Sequence, residues 1–287
     1  MIAHVAEAGE ARGRVVLRFC SGRPHEMAVR AAFQIAQAFQ SEIESLFIED
    51  AQLIDLARFE FATEISLTGR HRRRLSQRSV HQSFRASFEA ARRMVEQEAQ
   101  AAEVPMQHSF VRDEPVHALA AACAQRGPWN VVALAEAFGT TSCATLRELF
   151  STVPDTTGVI LAGPRTRRVD GPVIIAVEEI DRFPGMLRAA EKLAALSESD
   201  IVALIVADNQ DRFFQLDGEV RLILGDREDV TIVPSAVAHG EAAVIAESIR
   251  KLRGGFLIAQ FGSLVVPESG GLRPLTSALE CPLFLVR

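Results

Sequence analysis

The feature that most constrains this chain is a series of short apolar runs that do not alternate with polar residues. Val173-Ile174-Ile175-Ala176-Val177, residues 201–206, Phe256-Leu257-Ile258-Ala259 and Leu283-Phe284-Leu285-Val286 are of this kind, as is Val15-Val16-Leu17-Arg18-Phe19 near the start. A strand that faces water on one side reads as period-two alternation, so unbroken apolar strands imply burial on both faces. A parallel sheet held between two helix layers imposes that burial.

The segments between these runs have helical spacing. Residues 28–39 place Val29, Ala32, Phe33 and Ala36 on one side, and a long amphipathic helix is expected from about Arg72 to Ala102 with Phe84, Phe88, Ala91 and Val95 on its stripe. Further strands are expected at 43–48, 106–111, 130–135 and 159–162, and helices at 116–125 and 144–150. After the polar stretch Gly163-Pro164-Arg165-Thr166-Arg167-Arg168 the order of strand and helix begins again. The expected helices of this second part are 185–196, 213–224, 242–252 and 272–279, with a strand at 230–233. A chain of 287 residues exceeds the size usual for one domain, so two are expected, 1–166 and 167–287. The expected fold class is α/β, two tandem open parallel five-stranded sheets with helices on both faces.

Charge and cysteine usage narrow the partners. A net charge of -6 disfavours a general polyanion binder, so nucleic acid is not expected. No apolar run reaches the roughly 18 residues needed to span a bilayer, and the start lacks a basic region followed by an apolar one, so a cytoplasmic location without membrane contact is expected. Cys20, Cys123, Cys143 and Cys281 lie far apart with no C-x-x-C, which points to reduced thiols rather than a disulfide or zinc framework, and no metal site is expected.

The repeated order of elements and the closing run Cys281-Pro282-Leu283-Phe284-Leu285-Val286-Arg287 resemble tandem universal stress protein domains over nearly the whole chain. That resemblance implies a Rossmann-like sheet of order 3-2-1-4-5 in each half and pairing of the two halves through their last strands. In nucleotide-binding members an Asp follows the first strand, and a G-x2-G-x9-G-S/T motif follows the fourth. The two loops meet at the carboxyl edge of the sheet, where a carboxylate can orient a nucleoside and backbone N–H groups can approach phosphates.

Both loops depart from that pattern here. In the first half Cys20 and Ser21 stand where the Asp is expected, and the other loop is Gly139-Thr140-Thr141-Ser142-Cys143. These hydroxyl residues could seat an anion, although capping a helix is their commoner role. In the second half Glu178 replaces the Asp, while Gly262, Ser263 and Ser269 are small residues after the fourth strand. Glu178, Glu179, Asp181 and Glu268 would repel a phosphate unless Mg²⁺ intervened, and they read as solvated loop carboxylates.

Two further clusters stand out. Cys20 and Cys143 would sit on neighbouring loops with His25 close by, a possible redox pair, against the commoner role of cysteine as a small buried filler. Arg70-His71-Arg72-Arg73-Arg74 with Arg78 and Arg85 is a dense basic cluster in an acidic chain, placed at the start of the long helix where its charge opposes the helix dipole; an acidic partner, a bound anion or acidic residues of another subunit would hold it, against the commoner role of a solvated face. The chain lacks G-x-S-x-G, G-x-x-x-x-G-K-S/T, H-E-x-x-H and G-x-G-x-x-G. The expectation is therefore a non-enzymatic, stress-response type protein acting through a protein partner, self-association as a homo-oligomer, or a weakly bound small anionic ligand. The alternatives are an ATP- or AMP-binding protein or slow ATPase with atypical loops, and a thiol redox sensor.

Overall fold

A computed structural model describes residues 13–20, 24–66, 68–125, 129–135, 146–234, 242–267 and 273–287. Along the chain, β1 (Arg14–Phe19), α1 (Glu26–Ala38) and β2 (Glu42–Asp50) are followed by α2 (Ala51–Leu56) and a small hairpin of β3 (Thr63–Ile65) and β4 (Arg72–Arg74). Then come α3 (Gln77–Ala102), β5 (Met106–Asp113), α4 (Pro115–Ala124), β6 (Asn130–Leu134), α5 (Leu146–Thr152) and β7 (Thr156–Leu161). The rest of the chain is β8 (Val173–Val177), α6 (Phe183–Ser197), β9 (Ile201–Ile205), α7 (Gln210–Leu224), β10 (Val230–Pro234), α8 (Ala242–Lys251), β11 (Phe256–Gln260), α9 (Arg273–Ala278) and β12 (Leu283–Val286).

Ten of these strands form one sheet in the order β10-β9-β8-β11-β12-β7-β6-β1-β2-β5. Residues 14–161 contribute β5-β2-β1-β6-β7, and residues 173–286 contribute β10-β9-β8-β11-β12, so the order third, second, first, fourth, fifth occurs twice. Every pairing is parallel except β7 with β12, which run antiparallel with Leu283 opposite Leu161 and Val286 opposite Gly158. The expectation of two separate five-stranded sheets is therefore corrected to a single ten-stranded sheet. The reason is physical: each half ends on an edge strand that is apolar on both faces and carries unpaired N–H and C=O groups, and the two edges satisfy one another.

Alternate residues of each strand feed two helix layers. Val15, Leu17 and Phe19 point to the side of α1, α3 and α6, where Phe33, Phe84 and Phe183 are buried. Val16 and Cys20 point to the side of α4, α5, α8 and α9, where Leu119, Leu149, Ile249 and Leu275 are buried. Close backbone approach at the seam depends on Gly163, just beyond β7. A Cβ there would lie 1.7 Å from the carbonyl oxygen of Thr276 in α9.

The segment from 51 to 76 departs from expectation. Arg72–Arg74 do not begin the long helix but pair with β3, Thr63 opposite Arg74 and Ile65 opposite Arg72. The helix starts after Ser76, whose hydroxyl accepts the Ser79 N–H at 3.2 Å while Ser79 Oγ accepts the Ser76 N–H at 3.2 Å. That reciprocal cap satisfies two of the helix's orphan donors and fixes its first turn.

One polar cluster lies inside the packed layers. Arg14 and Glu44, with side chains 2% and 4% exposed, pair across β1 and β2. Arg14 also donates to the carbonyl of Ala122 in α4, and Ser109 Oγ donates to Glu44 at 2.7 Å. No sequence motif marks this pair. Both strands carry other charges, Arg18 in β1 and Glu42, Glu49 and Asp50 in β2, so nothing local sets Arg14 and Glu44 apart.

Removing one member strands the other without compensation. Glu44→Ala is expected to destabilise the protein by about 3–5 kcal/mol in urea unfolding, because Arg14 stays buried and charged. Gly163→Ala is expected to cost at least about 3 kcal/mol, since backbone must move to admit the methyl. Gly218→Ala, inside α7 with nothing within 4 Å of the added Cβ, is expected to stabilise by about 1 kcal/mol, and the three urea midpoints check the set.

Candidate functional site

The carboxyl edge of each half brings the loop after its first strand against the loop after its fourth. In the first half these are the ends of β1 and β6. The Ala135 N–H donates to the Arg18 carbonyl at 3.1 Å, and the His25 N–H donates to the Ala135 carbonyl at 2.7 Å. Cys20 lies here and is only 4% exposed. His25 caps α1 without a side-chain hydrogen bond to the helix, and its Nδ1 is buried without a partner among the described residues. Burial pushes the imidazole below its ordinary pKa, with the Glu26 carboxylate opposing the shift. A histidine held toward its neutral form is a poor cation for stabilising a thiolate. Ser21, Gly139, Thr140, Thr141, Ser142 and Cys143 lie outside the described residues.

In the second half the ends of β8 and β11 meet through Glu178. This carboxyl was expected to be a solvated loop group, but it is only 9% exposed. It turns into the loop that follows β11. Glu178 Oε1 accepts the Val265 N–H at 3.2 Å, its other oxygen accepts the Leu264 N–H, and the Ser263 hydroxyl also bonds to it. The loop is closed by the Gly262 N–H donating to the Val266 carbonyl at 2.9 Å, with Gly262 at φ 88°, a left-handed conformation that favours glycine. Ser263 Oγ accepts the Val266 N–H at 3.3 Å. The Glu178 carbonyl takes a hydrogen bond from Arg212 of α7 at 3.2 Å.

The result is an anion-binding arrangement of consecutive backbone N–H groups already occupied by the protein's own carboxylate. A cleft of about 350 Å³ opens beside it, lined by Glu178, Glu179, Asp208, Arg212 and Ser263. Its three carboxylates against one guanidinium make the local field unfavourable to a phosphate. Gly262 and Ser263 thus lie beside Glu178 because the loops after β8 and β11 meet, and they engage it rather than an open pocket. Ser269 and Glu268 lie outside the described residues. Among the described residues no cluster of three or more metal-ligating side chains occurs.

Two surrounding features bear on reactivity and recognition. The remaining described thiols are deeply packed, and burial pushes Cys123 up to about 11 and Cys281 up to about 12, so both stay protonated. Of the basic cluster, Arg72–Arg74 stand on the hairpin, while Arg78 and Arg85 lie in α3. Arg73 pairs with Glu64, Arg74 lies 3.7 Å from Glu60, and Arg72 donates to Thr63 at 3.2 Å. Beside these charges Phe59, Phe61 and Ile65 are exposed, Phe61 by 76%, and the Phe59 and Phe61 rings stack at 5.3 Å. The arginine run by itself is compatible with a solvated face or an acidic partner, and the exposed rings beside it add an apolar component that the charge pattern does not announce.

Burial of Glu178 outweighs its hydrogen bonds and raises its pKa above the ordinary 4.5. The folded state therefore holds this proton more tightly than the unfolded one, and the associated stability is full below the unfolded pKa and lost as pH rises through the folded value. Glu178→Gln is expected to flatten the fall in stability that sets in as pH rises above the ordinary 4.5, read from urea midpoints at a series of pH values. Glu178→Ala is expected to cost about 1–3 kcal/mol for each N–H left without an acceptor.

No protein-family model and no curated protein matches the sequence. Among solved structures the chain is similar to a universal stress protein from Archaeoglobus fulgidus, with a TM-score of 0.60 at 12% identity over 96% of this chain and 98% of that one. It is similar to a putative universal stress protein from Pseudomonas aeruginosa, with a TM-score of 0.56 at 14% identity over 96% and 94% of the two chains. A third similar structure is the cytoplasmic domain of a prokaryotic cation chloride cotransporter, with a TM-score of 0.53 at 9% identity over 96% and 95%. No described helix is long and apolar enough to cross a membrane. At such identities the likeness speaks of architecture, and by architecture the chain has the universal stress protein fold.

Proposed function

We propose that this chain is a universal stress protein-like regulatory protein without catalytic activity, built from two such units, 1–166 and 167–287, joined as an internal pseudo-dimer. In this reading it works in the cytoplasm by engaging a protein partner, and nucleotide turnover is not its task. The observation that carries the reading is the self-occupied loop after β11, where Glu178 fills the N–H groups that a phosphate would need. The exposed arm formed by α2 and the β3–β4 hairpin supplies the contact surface. Its aromatic and arginine side chains are residue types enriched at protein interfaces, and they complement a partner segment bearing apolar and acidic groups.

A ligand at a hundred times its Kd stabilises a folded protein by about 2.7 kcal/mol, a shift of roughly 4–5 °C for a chain of this length. Millimolar ATP with Mg²⁺ is expected to leave the thermal midpoint within about 1 °C of the free protein. A shift of several degrees would favour the adenine-nucleotide reading instead. Photo-crosslinking from a benzoylphenylalanine at position 61 is expected to trap a protein with an acidic, apolar contact segment. Trapping none would count against the partner reading, and a peroxide-induced Cys20–Cys143 crosslink would favour the redox one.

A further inference from the structure

A second cavity lies away from both carboxyl-edge sites, at the opposite ends of β1, β6 and β7. It has a volume of about 430 Å³, within the range of small-molecule pockets. Its floor crosses the antiparallel seam, with Thr157 from β7 beside Phe284 and Val286 from β12. Its walls are α1, through Ile35 and Phe39, and α6, through Ala189 and Lys192. The two halves of the chain therefore build it together.

The charge lining this cavity is unusual for the protein. The chain has 37 Asp and Glu, yet no carboxylate is among the described residues that line the cleft. Two cations line it. Arg14 is already committed to Glu44 and the Ala122 carbonyl. Lys192 is exposed and available, with its Nζ held 4.8 Å above the Phe39 ring. Of 31 Lys and Arg residues only Lys192 and Lys251 are lysines. An ammonium poised on an aromatic face at the mouth of an apolar cleft offers one anchoring charge and a hydrophobic bed.

We infer that this seam cleft binds an amphipathic monoanion, an acyl or aryl carboxylate whose apolar body lies on Phe39, Val131 and Val286 and whose carboxylate pairs with Lys192. Such a ligand touches both halves at once, so its binding strengthens their junction. The site stands independently of the partner reading, since it shares no residue with the hairpin arm or with the Glu178 loop.

The protein carries its own reporter. Trp129, 68% exposed, forms the lip of the cleft, and it is the only Trp in a chain without Tyr, so tryptophan emission comes from this position alone. Titration with decanoate below its micelle concentration is expected to give a saturable blue shift of that emission. Lys192→Gln is expected to weaken decanoate binding by about tenfold or more, and Lys192→Arg to keep it within about threefold, as one charge-assisted contact implies. Neutral 1-decanol is expected to bind the wild type no better than decanoate binds Lys192→Gln. Ala189→Phe, which fills the wall from α6, is expected to abolish the response. The inference is overturned by an absent or non-saturable response in the wild type, by equal decanoate affinity in wild type and Lys192→Gln, by decanol binding as well as decanoate, or by an undiminished response in a folded Ala189→Phe variant.

Discussion

The antiparallel ladder between β7 and β12 is the constraint on which the rest of the structure depends. Each half of the chain ends its sheet on a strand that is apolar on both faces, and such a strand cannot be left at an edge in water. Placing the two edges together satisfies their backbone groups and extends both helix layers across the junction. Gly158 and Gly163 record how tight this closure is, for a Cβ on Gly158 would meet Phe284 at 2.6 Å and one on Gly163 would meet the backbone of α9. The seam also creates the cleft beneath α1 and α6, which neither half could form alone.

The two carboxyl edges share a topology and differ in chemistry. In both, the first and fourth strands of the half lie side by side, which brings their following loops into contact. At the β8/β11 edge a glutamate one methylene longer than aspartate reaches across and accepts the loop's N–H groups. That arrangement exchanges an open anion site for an internal hydrogen-bonded link between two strands. Burial of the carboxyl costs free energy as pH rises, and the three donors offset part of that cost. A loop held this way is stabilised without a ligand.

Much of the architecture is legible in the sequence. The runs at 173–177 and 283–286 are strands over those same residues, because unbroken apolar stretches bounded by Pro and polar residues have few other uses. The 51–76 segment was not legible in the same way. Arginine is tolerated in helix and strand alike, so the run at 72–74 extends an amphipathic helix on paper. Only the Ser76 cap and the pairing with residues 63–65 place it in a hairpin. The Arg14–Glu44 pair was equally hidden, since a charge in a strand run reads as an exposed end until the partner 30 residues away is seen to face it.

The sequence by itself determined the alternation of strand and helix, the twofold repetition, and the substitution of Cys20 and Glu178 where a carboxylate of different reach is expected. These are local properties, carried by periodicity, turn residues and side-chain identity. Tertiary structure alone decided that the two sheets are one, that Glu178 points inward to bond Leu264 and Val265, and that Lys192 and Trp129 frame one cleft. Each of these depends on groups distant along the chain meeting in space. Backbone edges and buried carboxylates take whatever partner the packed layers bring within reach, and no local pattern names that partner.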